Sequence, residues 1–217
     1  MDRLDVFSDV ICPWCFIGKQ HMQAALKTLE TDGLRFAVTW RPFQLNPEMP
    51  AAGVERDTYR TAKFGSLTRS RELDAQVASA ARAAGIEIRH DRMRRTPNTV
   101  DAHRLIRLAD ASGHQDAVVD RLFQDYFVDG RDVGDRTVLL EAAEAAGMDR
   151  RTAEASLASD EGRAEVLAED AAVRRAGLNG VPTFALNDHV LFSGAVPAAT
   201  FAEALAKAHR VMLAGVG

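Results

Sequence analysis

The chain has 217 residues, 47% of them hydrophobic, and a formal net charge of −4 at pH 7. This length predicts one large domain or two interleaved ones, with enough apolar side chains for a core without structural disulfides or a structural metal. The slightly acidic balance argues against nucleic acid or an anionic membrane as a partner, and no segment approaches the roughly 20 apolar residues that cross a bilayer.

The start of the chain indicates a cytoplasmic protein. The first residues, MDRLDVFSDV, lack the basic and apolar regions of a secretory signal. Cysteines are normally kept reduced in the cytoplasm. The two cysteines of this chain, spaced as C-x-x-C, therefore need an explanation other than a structural disulfide.

The first predicted unit is a strand, a helix and a second strand. Apolar and acidic residues alternate at positions 4–6, which predicts a short strand. After the cysteines, apolar residues at helical spacing predict a helix up to residue 30. Gly33 is well placed as the C-terminal cap of that helix. Residues 34–40, LRFAVTW, alternate and are rich in β-branched and aromatic side chains, which predicts the second strand.

The middle of the chain has an almost purely helical pattern. Residues 44–53 contain Pro47 and Pro50 and predict a loop. From residue 54 to about residue 175 the pattern predicts helices separated by short breaks. Asn98 and Thr99 are typical N-cap residues for one of them.

The last part of the chain predicts a hairpin followed by a helix. Residues 181–186 and 189–192 are predicted strands, joined by a turn at Asn187 and Asp188. Pro197 suits the first turn of a final helix. The order predicts an α/β fold in which an all-helical domain, residues 44–176, is inserted between a β-α-β half and a β-β-α half, residues 1–43 and 177–217.

Cys12 and Cys15 carry the chemistry that the sequence predicts. They follow the first strand and open the first helix, where both sulfurs lie close enough to bridge. Unpaired N–H groups and the helix dipole at this end lower the pKa of the first thiol, and Pro13 fits the first helical turn. We therefore expect Cys12 to be the exposed attacking thiolate and Cys15 the more buried resolving thiol.

Two alternatives to redox chemistry are weaker. A zinc site needs four ligands, and the sequence offers no further cysteine and no C-x-x-H partner, so no metal is expected. The second alternative is that both cysteines are inert buried thiols. It does not explain why the only two cysteines of the chain lie together, on either side of Pro-Trp, directly after a strand.

The segment Gly180-Val181-Pro182-Thr183 is the second predicted part of the site. A proline is tolerated at the start of a strand, where it need not donate to the ladder. If the Val181–Pro182 bond is cis, the proline would lie against the sulfurs and leave the Val181 backbone free to pair with a bound peptide or thiol. A trans proline that simply opens the strand is the alternative.

Five segments together resemble the FrnE-like branch of the DsbA family of thiol–disulfide oxidoreductases. They are SDVICPWCFIGK, WRPFQLNPEMP, YRTAKFG, NTVDAHRL and GVPTFALNDHVLFSGAVP, which span nearly the whole chain. The resemblance implies a thioredoxin-like fold with a helical insertion, and disulfide exchange at Cys12 and Cys15 with a protein or small-thiol substrate. It also implies that Val181–Pro182 is the cis-proline loop of that fold.

The neighbouring branch of 2-hydroxychromene-2-carboxylate isomerases and kappa-class glutathione transferases supplies the alternative. Those proteins share the architecture but typically carry serine at the position of Cys12 and bind glutathione without redox cycling. The two cysteines favour the oxidoreductase hypothesis, although a glutathione-dependent isomerase or transferase acting on a small aromatic compound stays open. Glutathione is the one candidate co-substrate, no other cofactor is expected, and the sequence does not choose between monomer and homodimer.

Further side chains are candidates for contact with substrate. Trp14 is expected to be exposed beside the sulfurs. Asp9, three residues before Cys12, is interpreted as a cap or solvated residue of the loop, with proton transfer to Cys15 as the less favoured alternative. Four residues are candidates for a substrate pocket, against the simpler roles of interdomain core, N-cap and buried helix histidine: Phe43, Leu45, Asn98 and His103.

Overall fold

A computed structural model describes residues 1–214, and residues 215–217, the end of the last predicted segment, lie outside the described part. Its main sheet has four strands in the order β2-β1-β5-β6, with β1 parallel to β2 and antiparallel to β5. The elements of this half are β1 Asp2–Ser8, α1 Pro13–Thr31, β2 Phe36–Pro42, β5 Thr183–Leu186, β6 His189–Ser193 and α9 Ala198–Ala214.

The faces of the sheet follow the alternation in β1. Val6 pairs with Phe184 of β5 on the face that packs under α9, where the rings of Phe184 and Phe201 are 4.7 Å apart. Asp5 lies on the opposite face and pairs with Ala185. The apolar alternation in the sequence therefore fixes which side of β1 enters the core.

The hairpin between β5 and β6 is confirmed. Asn187 and Asp188 both have positive φ, 46° and 69°, as a two-residue type I′ turn requires. The Asn187 side chain accepts a hydrogen bond from the Arg3 N–H at 2.9 Å. The turn is thereby tied to the start of the central strand.

The segment between the two halves is helical, as predicted. Its helices are α2 Arg56–Phe64, α3 Leu67–Ala83, α4 Val100–Asp110, α5 Gln115–Phe123, α6 Arg136–Ala145, α7 Arg150–Ala158 and α8 Arg163–Arg175, with a π-helical turn at Gln124–Val128. The order of a β-α-β half, a helical block and a β-β-α half is confirmed. The division into two separate domains stays a prediction.

A second, two-stranded sheet inside this block was not predicted. Val54–Glu55 (β3) pairs antiparallel with Arg95–Thr96 (β4). Two-residue strands show no alternation that a sequence pattern can reveal, and Pro97 ends β4 at once. The prediction that the insertion is all-helical was therefore wrong at these residues, and this sheet fixes the start of α2.

Two strand boundaries also differ from the predictions. β2 covers Phe36–Pro42 rather than residues 34–40, because its register with β1 runs from Asp2–Phe36 to Ser8–Pro42. β5 begins at Thr183 rather than at residue 181, since Pro182 has no N–H to donate to the ladder.

The helical block is joined to the sheet through β2 and α1. Gln115 of α5 accepts a hydrogen bond from the Trp40 N–H at 2.8 Å and donates to the Trp40 carbonyl at 3.2 Å, which satisfies the backbone groups of this one residue of β2. The Lys19 side chain, 0% exposed, lies between Asp116 Oδ2 at 3.1 Å and Asp120 Oδ1 at 2.7 Å. A buried cation and an edge-capping amide thus connect the two parts.

None of the helices formed by residues 1–214 has the length and apolar character needed to cross a membrane.

Candidate active site

Cys12 and Cys15 lie at the N-terminus of α1 as free thiols. Cys12 is the N-cap residue, and its carbonyl accepts from the N–H groups of Cys15 at 3.0 Å and Phe16 at 3.3 Å. The expectation of an exposed Cys12 was wrong, since it is only 4% exposed against 1% for Cys15. The reason is that the proline loop covers it: Cys12 Sγ lies 3.6 Å from the Val181 carbonyl oxygen, to which it donates.

Cys15 is a strongly perturbed thiol. Burial raises its pKa well above the usual thiol range, and the contact with Cys12 adds to the increase. The Ser8 hydroxyl and the Asp9 backbone act in the opposite direction with smaller effect. Cys15 is therefore a neutral thiol at neutral pH, which suits a group that acts only after Cys12 has reacted.

The raised pKa of Cys15 gives the reduced protein a pH-dependent stability. An unfolded thiol ionises near pH 8.5, so above about pH 8.5 the folded state holds a proton that the unfolded state has lost. We expect the free energy of unfolding of the reduced protein to fall by up to about 1.4 kcal/mol per pH unit in this range. Urea unfolding of wild type and Cys15→Ser between pH 7 and 10 measures the difference, and an equal slope in both proteins would contradict it.

Asp9 supports the loop that presents Cys12. It is 0% exposed, its carbonyl accepts from the Cys12 N–H at 3.0 Å, and its carboxylate accepts from the Leu45 N–H at 2.7 Å. His103 Nε2 lies 3.6 Å from Asp9 Oδ1 and has no hydrogen-bond partner among the described residues. The interpretation of Asp9 as a loop cap agrees with these contacts, whereas a solvated Asp9 does not.

The proline loop lies against α1. The Val181–Pro182 bond is cis in the structure. Thr183 Oγ1 donates to the Gly180 carbonyl at 2.8 Å, which closes the loop. The Pro182 ring packs on Gly18 of α1, where an added Cβ would lie 2.9 Å from Pro182 Cγ. Gly18 therefore permits the close approach of the two halves of the site.

Gly18→Ala tests this contact. A proline ring cannot rotate away from the added methyl group, so overpacking is expected to exceed the gain in helix propensity and to destabilise the protein by about 1–2 kcal/mol. Disulfide exchange should slow as well, because Pro182 must shift. Lys27→Ala on the exposed face of α1 is the matched control and should change stability by no more than about 0.5 kcal/mol. Denaturant unfolding that gives the same stability for both variants would argue against the contact.

A cavity of about 370 Å³ opens beside Cys12. One wall comes from the start of α1 and from the proline loop, and the other comes from the helical block. Most of the second wall was not predicted from the sequence, although the segment YRTAKFG contains four of its side chains on α2. The residues of this wall that carry polar or aromatic groups are Asn46, Arg56, Tyr59, Arg60, Lys63, Phe64, Asp74, Gln76, His90, Thr96, Tyr126 and Phe127.

The structure brings only part of the predicted set to this cavity. Trp14, 42% exposed, and Leu45 line it. Phe43 is buried under the Arg174 guanidinium, whose carbon lies 4.1 Å from the ring centroid. His103 faces Asp9 beneath the loop.

Asn98 also lies away from the cavity. Its side-chain oxygen accepts from the Val100 N–H at 3.0 Å, and its side-chain nitrogen donates to the Met49 carbonyl at 2.7 Å. Both polar atoms of the side chain are therefore used in holding the start of α4. The N-cap residue of α4 is Thr99, whose side chain makes no capping hydrogen bond. Within residues 1–214 no group of three or more His, Cys, Asp or Glu side chains is placed to hold a metal ion.

Comparison with known proteins identifies similar chains. The model of the DSBA-like thioredoxin domain family matches residues 3–206. A probable DsbA oxidoreductase from Streptomyces coelicolor is 33% identical, with a TM-score of 0.85 over 96% of this chain and 90% of that one.

Two more distant structures share the fold. A 2-hydroxychromene-2-carboxylate isomerase is 15% identical, with a TM-score of 0.69 over 99% of each chain. The cytosolic disulfide reductase DsbM from Pseudomonas aeruginosa, solved with glutathione, is 23% identical, with a TM-score of 0.59 over 87% of each chain.

Proposed function

Because the chain belongs to the DSBA-like thioredoxin domain family, we propose that it is a thiol–disulfide oxidoreductase that exchanges a disulfide between Cys12–Cys15 and a protein or small-thiol substrate. The observation that carries the proposal is the pair of free cysteines at the start of α1, with Cys12 Sγ against the Val181 carbonyl. The assignment to the FrnE-like branch stays a prediction.

The exchange proceeds through a mixed disulfide. The Cys12 thiolate attacks one sulfur of the substrate disulfide and displaces the other as a thiolate. Cys15 then loses its proton and attacks Cys12 Sγ, which releases the second substrate thiolate and leaves Cys12–Cys15 oxidised. Two electrons pass from the protein to the substrate, and the reverse sequence oxidises a substrate dithiol.

The roles of the two thiols follow from their surroundings. Cys12 is the N-cap residue of α1 and lines the cavity, so it is the thiol that a substrate meets first. Cys15 is buried and stays protonated until the mixed disulfide forms beside it. Val181 and Pro182 cover the sulfurs on the other side, where the Val181 carbonyl accepts from Cys12 Sγ.

A redox titration tests the proposal. The purified protein is equilibrated in glutathione buffers, and the thiols are trapped and counted, with the fluorescence change attributed to Trp14 as a second signal. A two-electron transition is expected. A potential near roughly −270 mV would assign a reductase and one near roughly −120 mV an oxidant. Failure of Cys12 and Cys15 to form a disulfide in any buffer would reject the oxidoreductase.

The alternative is a glutathione-dependent isomerase or transferase acting on a small aromatic compound. The observation in its favour is the cavity beside Cys12, whose walls contain the aromatic side chains of Trp14, Tyr59 and Tyr126. Tight non-covalent binding of glutathione, with turnover that survives Cys15→Ser, would select this function over disulfide exchange.

Glutathione as a co-substrate and a cytoplasmic location are part of the proposal. The fold is shared with DsbM, a cytosolic reductase whose structure contains glutathione. Glutathione is therefore the first thiol to test as the reductant that recycles the oxidised Cys12–Cys15 pair.

A further inference from the structure

The wall of the cavity opposite Cys12 contains a cluster of charged side chains from two helices. Arg56 and Arg60 lie one turn apart on α2, and both donate to Asp74 of α3, Arg56 from Nη2 to Oδ2 at 2.8 Å. The three side chains are only 11%, 18% and 13% exposed. One carboxylate is therefore shared by two guanidinium groups in a partly desolvated wall.

This wall keeps an excess of positive charge. Lys63, nearly two turns beyond Arg56 on α2, also lines the cavity and donates to the Tyr59 hydroxyl at 2.6 Å. Burial, opposed by Asp74, lowers the pKa of His90, so its imidazole is neutral at pH 7. Among the described residues that line the cavity, three are arginine or lysine and Asp74 is the one carboxylate. The chain as a whole, by contrast, has a net charge of −4.

Arg56 has donors that the protein does not use. Within the described chain only its Nη2 has a side-chain partner, and Arg56 lines the cavity, so the guanidinium keeps donors for a further partner. Arg60 is more fully occupied, because it donates to the hydroxyl and the carbonyl of Ser70 as well as to Asp74. Arg56 is therefore the cation best able to accept a new anionic partner.

The position of Arg56 is fixed by the backbone. Its N–H donates to the Arg94 carbonyl at 2.9 Å, directly after the β3–β4 pair. With its backbone tied to Arg94 and its Nη2 to Asp74, the Arg56 side chain can donate a charge-assisted hydrogen bond to a carboxylate with less loss of side-chain freedom. The cavity, about 370 Å³, has the size of a small-molecule site rather than of a surface that fits a folded protein.

We propose that the cavity selects low-molecular-weight disulfides that carry a carboxylate, with Arg56 binding the carboxylate while one sulfur lies at Cys12. The inference rests on the proposed function and adds the substrate class and the residue that selects it. Its chemistry is the exchange described above: the substrate disulfide is reduced to two thiols, and the Cys12–Cys15 dithiol is oxidised to a disulfide.

Three disulfides of different charge test the inference. Reduced protein is mixed at low ionic strength with oxidised glutathione, which carries carboxylates, with neutral hydroxyethyl disulfide, or with cationic cystamine. Quenched thiol trapping gives the rate constant for oxidation of Cys12–Cys15. The rate constants of variant and wild type are compared for the same disulfide, so that differences in intrinsic reactivity between the disulfides cancel.

Arg56→Gln is expected to slow the reaction of oxidised glutathione about tenfold, the value of one charged hydrogen-bonded contact. The same substitution should change the rate with hydroxyethyl disulfide less than about twofold, and Arg56→Glu should favour cystamine. Arg69→Gln is the matched control, because Arg69 is an exposed arginine of α3 outside the cavity. Thermal unfolding of each variant verifies that it is folded.

The outcomes separate the two proposals. If neither neutral nor anionic disulfides oxidise the pair, the proposed function fails, and the inference fails with it. If both react with wild type but Arg56→Gln slows them equally, or slows neither, selection by Arg56 is contradicted while disulfide exchange stands.

Discussion

A Cys12→Ser variant is expected to lose disulfide exchange by about a thousandfold or more. A serine hydroxyl at this position is not ionised at neutral pH and cannot form the mixed disulfide, so the residual activity should approach that of solution thiols. The assay is the reduction of a small disulfide coupled to dithiothreitol or glutathione. Because the two side chains are nearly isosteric and the site is buried, the variant should fold as the wild type does.

Cys15→Ser is the matched control for this experiment. It keeps the attacking thiol and removes the resolving one, so a mixed disulfide between Cys12 and the substrate should accumulate and be visible by mass spectrometry. Exchange that persists without Cys12, or a trapped adduct on Cys15 in the Cys12→Ser protein, would reverse the assignment of roles.

The second large effect is expected at the buried Lys19. The double substitution Asp116→Asn and Asp120→Asn keeps the hydrogen-bond acceptors and removes both counter-charges of an ammonium group that is 0% exposed. Leaving a buried charge without its partner typically costs about 3–5 kcal/mol, and we expect the lower end because the two carboxylates are half exposed and water can approach. For a chain of this length the melting temperature should fall by roughly 6–12 °C.

Lys19→Met provides the compensating variant. Methionine fills a similar volume without a charge, so introduced alone it should change stability by less than about 1.5 kcal/mol. Added to the double Asn variant, it should restore most of the lost stability, as a double-mutant cycle would show. If Lys19→Met and the Asn substitutions are additive, the ion pairs do not connect α1 and α5 in the way the distances indicate.

The sequence predicts the site better near the cysteines than far from them. The spacing of Cys12 and Cys15, the cis Val181–Pro182 bond implied by the resemblance, and the Asn187–Asp188 turn each depend on local patterns, and the structure contains the corresponding bond and turn. Alternating apolar residues in β1 likewise predict its buried face.

The parts of the site that were not predicted depend on contacts between residues far apart in the sequence. Arg56 reaches the cavity wall only because β3 pairs with β4 some 40 positions later, and neither strand is long enough to show a pattern. Lys19 and Asp9 are buried although charged residues are usually exposed, and their partners come from other elements. Three of the residues predicted to line the pocket, Phe43, Asn98 and His103, lie outside the cavity beside Cys12. Their side chains instead contact residues from other parts of the chain, which a sequence pattern does not show.

The strand order has a consequence for synthesis on the ribosome. β1 is central in the sheet, yet Leu4 pairs with Leu186, which is translated 182 positions later. After Pro42 is made, 140 further residues precede Thr183, which takes roughly 7–28 s at about 5–20 residues per second. During this time β1 has an open hydrogen-bonding edge, the state in which strands associate with other chains. The nascent chain thus carries both cysteines long before Pro182 exists to cover them, so in this interval its thiols are open to the surrounding redox pool without the enclosure of the finished site.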